Sequence, residues 1–274
     1  MSELTSGLIE RDGILFAATE APVSYPEAGN ELYFRIEENS FWFKHRNACI
    51  LSVVQRFAPH AHFFDVGGGN GYVSHSLQEN GIRTTLIEPG LQGCVNARKR
   101  GLKRVVCTTL ENAGLGQGTV PAMGLFDVVE HIEDDVSFLR SAYEMLEVGG
   151  TVFITVPAYN FLWSNEDVDA GHFRRHTVRG LTGKLKEVGF EVLYGSYFFS
   201  ILTLPILLFR SIPSRLGMNK GSNDPDKHVQ EHAPKKGLMD SLMNRVWGAE
   251  LGRVKKGGRI PFGSSCLLVA RRVR

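Results

Sequence analysis

Cysteine is scarce in this chain. Cys49, Cys94, Cys107 and Cys266 are scattered through 274 residues, with no CxxC pair and no His-Cys cluster. That spacing argues against a disulfide framework and against zinc, so no metal site is expected and a reducing cytosol is the simplest setting. Charge of one sign is lacking as well. The 31 Lys and Arg against 29 Asp and Glu leave a formal charge of +2, which gives no global pull towards nucleic acid. Long apolar runs are few. Val192 to Phe209 holds 18 residues without a charge, close to the lower limit of about 17 for a membrane span. Gly195, Ser196, Ser200, Thr203 and Pro205 interrupt it, and its first half is needed as a strand, so no span is expected. Residues Met1 to Leu4 show no basic region followed by an apolar one, and no secretory signal is expected. Repeats and low-complexity tracts are absent.

What is present is enough apolar material, 43% of residues, to bury a full core in one or two domains. The most informative stretch is Phe63-Phe64-Asp65-Val66-Gly67-Gly68-Gly69-Asn70-Gly71-Tyr72-Val73-Ser74. It reads as a buried strand, a glycine-rich turn and a helix start, where backbone N–H groups become available to a ligand. A dinucleotide fingerprint needs G-x-G-x-x-G/A, but here Gly69 and Gly71 are followed by Ser74. What stands instead is acid-x-Gly-x-Gly-x-Gly, from Asp65 through Gly67, Gly69 and Gly71, with Gly68 inside it. About 23 residues after Asp65, Thr84 to Glu88 is a second apolar run ending in an acid, followed by Pro89. A third run, Gly124 to Asp135, contains Asp127-Val128-Val129-Glu130-His131. An amphipathic helix with Val136, Leu139, Tyr143 and Leu146 on one face follows it. Gly149-Gly150 then turns into a β-branched strand ending at Pro157.

These four motifs, in this order, resemble the class I S-adenosylmethionine-dependent methyltransferases. The resemblance implies an α/β fold with a Rossmann-like doubly wound seven-stranded sheet. Its last strand, Ile260 to Ala270, would be antiparallel, with an N-terminal helical extension and a helical insert between the sixth and seventh strands. It implies S-adenosyl-L-methionine as cofactor and S-adenosyl-L-homocysteine as product. Glu88 would accept the ribose hydroxyls, as an acid at the end of the second strand does in such sheets. The expected cofactor-binding set is Asp65, Gly67, Gly68, Gly69, Gly71, Glu88, Pro89, Thr109, Leu110, Asp127, Val128, Trp42 and Arg46. An Asp usual after the third strand is missing: Thr108 or Thr109 holds its place, so adenine recognition is expected to rest more on backbone groups and packing.

Further along, Tyr159 to Ser164, Asp167 and Gly171-His172-Phe173-Arg174-Arg175-His176-Thr177 resemble a bacterial subgroup of these enzymes. That subgroup carries TVPA, LWS and GHxRRY segments and an N-terminal FWF segment, here Phe41-Trp42-Phe43 with Arg46. His176 stands where the subgroup usually has Tyr. The helix from Ser40 to Phe57 carries this segment, with Phe43, Ile50, Val53 and Phe57 on one face. It either packs as plain core or covers the cofactor, with Arg46 offered to the cofactor's carboxylate.

Four regions are expected: 1–58 as extension and covering helix, 59–199 as core, 200–259 as an apolar and basic helical insert, and 260–274 as the last strand. Residues 1 to about 30 read as an extension or partial lid. From Arg210 to Arg259 there are 11 Lys/Arg against 5 Asp/Glu. An apolar segment beside a basic one suits an anionic membrane surface; the plainer reading is a helix packed on its own domain or a dimer mate, with the charges solvated. Cytoplasmic placement, soluble or membrane-peripheral, follows.

Methyl transfer from a sulfonium needs positioning and desolvation above all, and a base helps an oxygen or nitrogen nucleophile. His131, His172 and His176 lie on the same rim of the sheet and each is a candidate base. His131 reads equally as a helix-entry residue contacting cofactor. Trp163, His172, Arg174 and Arg175 are the expected acceptor-binding residues. The competing reading for the two arginines is ion pairing with Glu166, Asp167 or Asp169. The function read is a methyltransferase acting on an O or N nucleophile of a small-molecule, glycan-linked or lipid-linked acceptor. The alternatives are a quinone-type C- or O-methyltransferase with a prenylated substrate and a noncatalytic SAM-binding module. Nucleic acid is not an expected partner, because no aromatic-interleaved basic stripe is present.

Overall fold

The structure is a computed structural model describing residues 7–17, 34, 36–218 and 238–274. Its centre is a mixed sheet. Strands β3 (Phe63–Val66), β4 (Thr84–Glu88), β5 (Val105–Cys107), β6 (Val120–Phe126) and β7 (Leu146–Pro157) run parallel; β8 (Phe190–Phe198) and β9 (Ser265–Arg272) follow. Strand order in this part is β5-β4-β3-β6-β7-β9-β8, with β9 antiparallel between β7 and β8. The order reverses between β3 and β6, which opens a crevice beyond their carboxyl ends. All seven expected strands are present, and the last one is antiparallel as expected.

Two further strands extend the sheet to nine among the described residues. β1 (Leu8–Arg11) and β2 (Ile14–Ala17) form a hairpin, and β2 runs parallel to β5 with Leu15 opposite Val106. Its two-residue turn is Asp12-Gly13, both at positive φ (50° and 75°), the geometry whose twist matches paired strands. The described part of the N-terminal extension is therefore a sheet edge. The rest of the expected extension or lid, residues 1–6 and 18 to about 30, lies outside the described residues.

Helices cover both faces. α1 (Phe41–Phe57) and α2 (Tyr72–Glu79) pack on one side with Ile50, Val53, Phe63, Leu77, Phe153 and Leu267. α3 (Leu91–Lys99) follows β4. α4 (Asp135–Met145) and, after the short α5 (Asn165–Asp169), α6 (Val178–Val188) pack on the other with Leu125, Leu139, Ile154, Leu181 and Leu268. Side chains and a glycine cap these helices. Ser40 Oγ accepts from Trp42 N, Thr177 Oγ1 accepts from Gly180 N, and Gly189 ends α6 at φ 118°.

α1 differs from a simple amphipathic helix, because His45, Arg46, Asn47 and Ser52 are buried beside Ile50 and Val53. Arg46 turns to Asp127 and Asn47 to the Tyr72 carbonyl, both in the core, whereas His45 is covered by the insert. Its final helix, α9 (Leu238–Lys255), lies on α1: Trp247 stacks on Phe41 at 4.6 Å, and Glu250 meets His45 Nε2 at 3.1 Å. Before it, residues 200–215 wind as a broken helix that includes α7 (Thr203–Ile206) and α8 (Ile212–Arg215). It is tied to the 160–166 segment by Ser211 Oγ to the Leu162 carbonyl, Ser214 Oγ to Asn165 and Arg210 to Glu166. No described helix is long and apolar enough to cross a membrane.

Candidate active site

The glycine loop after β3 is closed from below and open above. A Cβ on Gly68 would lie 2.4 Å from Leu86 Cδ1 and 2.6 Å from Asp65 Oδ2, so the loop floor admits only glycine. Gly69, at φ 55°, has nothing within 4 Å of that position, leaving space for a ligand over the backbone. Asp65 is fully buried beneath the loop; its Oδ2 accepts from Ser74 Oγ at 2.7 Å. Burial pushes its carboxyl up to about 6, against the opposing pull of Ser74 and Arg46. Asp65 thus supports the loop from within.

Glu88, at the end of β4, grips the loop rim. Its carboxylate accepts from Gly69 N at 2.8 Å and Gly90 N at 2.7 Å. Burial raises its pKa, with these two hydrogen bonds opposing. Pro89 is half-buried beside it. At the end of β5, Thr108 N donates to the Glu88 carbonyl. Thr108 Oγ1 is buried with no partner, while Thr109 is half-buried and Leu110 buried.

Across the crevice, Arg46 on α1 meets Asp127 Oδ2 at 2.6 Å, and Asp127 Oδ1 accepts from Thr155 Oγ1 at 3.0 Å. Arg46 Nε is buried without a hydrogen-bond partner. Trp42 stacks on Phe199 with the Arg46 guanidinium 5.6 Å from its ring centre. Asp127 is at φ 58°, a turn that lays Val128 over Gly67. Every expected cofactor-binding residue therefore lies at the carboxyl ends of β3 to β6 or on α1 above them.

The rim beyond β6 and β7 gathers the charged residues of the 160–176 region. His131 and His172 come together, their rings edge-to-face at 4.7 Å between centroids. His172 Nδ1 bonds Asp167 Oδ1 at 2.9 Å. Asp167 also takes two bonds from Arg175, at 2.7 and 2.9 Å, and one from Ser164 N. Burial, then the neighbouring His172, push His131 down to about 4, against the pull of Asp127. His176 is drawn elsewhere. It is buried 4.0 Å from Asp135, which Arg174 holds at 3.0 Å and Lys184 also contacts. Burial and Lys184 push His176 down to about 4.

Both arginines are thus ion-paired within the chain, Arg175 to Asp167 and Arg174 to Asp135. Arg174 also lines an open cleft of about 240 Å³ with Asn160, Trp163 and Phe173. Sequence reasoning did not single out Glu130, Asp135 or Glu250. Glu130 had a signal, its place beside His131 at a strand end; it is 1% exposed, and its Oε2 has no hydrogen-bond partner. Burial, then the Asp127 charge, push its carboxyl well above the usual range. Glu250, distant in sequence from everything it touches, had none.

Comparisons with known proteins bear on the family and the fold. The ubiquinone biosynthesis O-methyltransferase of Sodalis glossinidius (strain morsitans) is 27% identical over 123 residues, 42% of this chain and 49% of that one. That of Pseudomonas aeruginosa (strain UCBPP-PA14) is 29% identical over 97 residues, 33% of this chain and 42% of that one. This chain spans about half or less of the length of these curated relatives. Among solved structures, phosphoethanolamine N-methyltransferase 2 of Haemonchus contortus, in complex with S-adenosyl-L-methionine, superposes with a TM-score of 0.56. It is 17% identical, and the superposition covers 92% of this chain and 58% of that one. A SAM-dependent methyltransferase of Archaeoglobus fulgidus gives 0.53 at 16% identity, covering 87% and 99%. These likenesses are of fold. Residues 42–194, from Trp42 on α1 to Tyr194 on β8 and including the glycine loop, Glu88 and both rim histidines, match a family model described as a methyltransferase domain. With more than half of its length inside that match, this chain belongs to the methyltransferase domain family.

Proposed function

We propose that this chain moves a methyl group from S-adenosyl-L-methionine to an oxygen or nitrogen nucleophile of an acceptor with an apolar part. One observation carries the reading: a glycine loop with no room for a side chain beneath Gly68 and open space over Gly69 is gripped by Glu88, with the Arg46–Asp127 pair at the end of the neighbouring strand. The orphaned buried atoms fit the donor. Arg46 Nε is a donor for a carboxylate and Thr108 Oγ1 is a polar contact beside the nucleoside end; Glu88, whose oxygens already accept from Gly69 N and Gly90 N, would offer its remaining lone pairs to ribose hydroxyls.

The donor, when bound, supplies a methyl group already activated by positive sulfur. The chain's part is to orient it and exclude water. Pro89, Thr109 and Leu110 would pack against the nucleoside, and Asp127 and Val128 would line the side facing the methyl group. Trp42 and Arg46 close the site from α1. The nucleophile gains the carbon as the carbon–sulfur bond breaks, and its proton leaves at the His131–His172 rim. The acceptor would enter along the cleft of Asn160, Trp163, Phe173 and Arg174.

Beside that cleft the broken helix exposes Leu204, Leu208, Phe209, Ile212 and Leu216, with Arg210 and Arg215 on the same segment. A surface of this kind suits a lipid-linked acceptor or the face of an anionic membrane. The ubiquinone-pathway relatives favour a second reading, a quinone-type O-methyltransferase with a prenylated substrate. Recovery of a radiolabelled methyl group in the lipid fraction of an extract would select it.

Calorimetric titration with S-adenosylmethionine and S-adenosylhomocysteine, with NAD as control, tests the donor. Both sulfur ligands should bind. Glu88→Ala should weaken them roughly ten- to hundredfold, as expected for losing a hydrogen bond to a charged group worth about 1.5–3 kcal/mol. Binding of NAD alone would overturn the reading.

A further inference from the structure

Glu130, His131 and His172 bring together one carboxylate oxygen and two imidazole nitrogens, all within 4.8 Å of one another. They come from two separate segments, the turn Val129–His131 after β6 and the loop after α5. Phe173 N, donating to the Glu130 carbonyl at 2.8 Å, holds the two segments in contact. No other trio of His, Cys, Asp or Glu among the described residues offers ligand atoms this close.

Three features distinguish this cluster from a chance meeting of side chains. Glu130 is 1% exposed and its Oε2 has no hydrogen-bond partner. An unpaired buried carboxylate oxygen is costly, and a cation is a partner that would remove that cost. His172 is oriented from behind: its Nδ1 bonds Asp167, which is itself held by Arg175 and Ser164 N. With Nδ1–H donating to Asp167, the lone pair sits on Nε2. A carboxylate behind an imidazole is the arrangement that fixes tautomer and ring angle in metal-binding histidines. His131 is held in the same manner, through a hydrogen bond with the Gly171 backbone.

We propose that Glu130, His131 and His172 bind one divalent transition-metal cation. Two imidazoles and a carboxylate suit Mn²⁺, Fe²⁺, Co²⁺ or Zn²⁺ better than Mg²⁺ or Ca²⁺, which prefer all-oxygen shells. Metal–ligand bonds of about 2.0–2.2 Å hold ligand atoms within about 4.4 Å of one another, so the three atoms draw together when the cation binds. Both histidines are half-buried, so the remaining coordination positions face the rim. If the methyl-transfer reading holds, the cation would grip the acceptor's oxygen or nitrogen opposite the methyl group. Binding of the cation itself does not depend on that reading. The donors are the adjacent Glu130 and His131 and the distant His172, with no cysteine among them, which is why cysteine spacing gave no sign of them.

Co²⁺ titration of the chelator-stripped full chain, followed by visible d–d absorption and by elemental analysis after dialysis, is the test. One Co²⁺ per chain is expected. Its affinity should fall at least about tenfold in Glu130→Gln and in His172→Ala, and about 10- to 100-fold in the positioning variant Asp167→Asn. Equimolar Mg²⁺ should not displace it. Each variant should keep wild-type affinity for S-adenosylhomocysteine, which reports a folded donor site. Absence of stoichiometric Co²⁺ on the wild type, or unchanged affinity in both ligand variants, overturns the site. Co²⁺ binding without any S-adenosylhomocysteine binding would overturn the donor reading and leave the metal site standing.

Discussion

Glu250→Ala should lower the thermal midpoint by roughly 8–16 °C. The Glu250 carboxylate accepts from four donors on two other elements: His45 Nε2 at 3.1 Å, Ser200 N at 3.2 Å, Ser200 Oγ at 2.8 Å and Phe199 N. Phe199 is fully buried and sits at φ 59°, ψ 44°, a left-handed conformation that costs a bulky residue about 1–3 kcal/mol. Truncation to Ala strands its N–H at a further cost of about 1–3 kcal/mol and breaks the contact with α1. Loss of one partner of such a buried group typically costs about 3–5 kcal/mol. Taking about 4 kcal/mol, at about 2–4 °C per kcal/mol for a chain of this size, gives the range stated. Differential scanning calorimetry at neutral pH measures it, with Glu250→Gln expected between wild type and Ala because one acceptor oxygen survives. Burial pushes the Glu250 pKa up, but the hydrogen bonds from His45, Ser200 and Phe199 N outweigh it and hold it below the ordinary 4.5. A folded pKa below the unfolded one stabilises above that unfolded value, and the gain disappears as pH falls through the folded value. The gap between wild type and Glu250→Ala should therefore narrow as pH falls below about 4.5. A midpoint shift under about 3 °C at neutral pH would refute the clamp.

Gly68→Ala forces a methyl group into Leu86 and the buried Asp65 carboxylate. The overpacking cost of about 1–3 kcal/mol should appear as a loss of S-adenosylhomocysteine affinity of tenfold or more by calorimetry, and unchanged binding would contradict the closed loop floor. Leu204 and Phe209 are 61% and 73% exposed. Wild type should float with anionic liposomes at low salt and the Leu204→Ser, Phe209→Ser double variant should not; failure of the wild type to float removes the membrane contact.

The seven core strands, the start of α1 at Ser40 and the glycine loop were legible because local chemistry fixes them. A β-branched or aromatic run between turn residues has one favourable state, and consecutive glycines at a strand end serve few purposes besides close backbone approach. The β1–β2 hairpin was missed although Asp12-Gly13 is a hairpin turn signal, since its flanking runs are only four residues long and belong to a sheet edge set by β5. The insert was legible as apolar and basic. That α9 would press onto α1 and cover His45 was not, because no local pattern encodes a meeting of residues about 200 positions apart.

The same division runs through the candidate site. The chemistry of the donor side, from Asp65 to Glu88, is written in consecutive motifs, since one strand–turn–helix unit builds most of it. The rim is different. The sequence supplied His131, His172, His176, Arg174 and Arg175 as interchangeable candidates; packing sent His176 to Asp135 and locked Arg175 onto Asp167. Only the fold brought His172 to His131 and left Glu130 buried beside them without a partner for Oε2. Which polar groups converge depends on where strands β6 and β7 deliver their loops, and that is a property of the whole sheet.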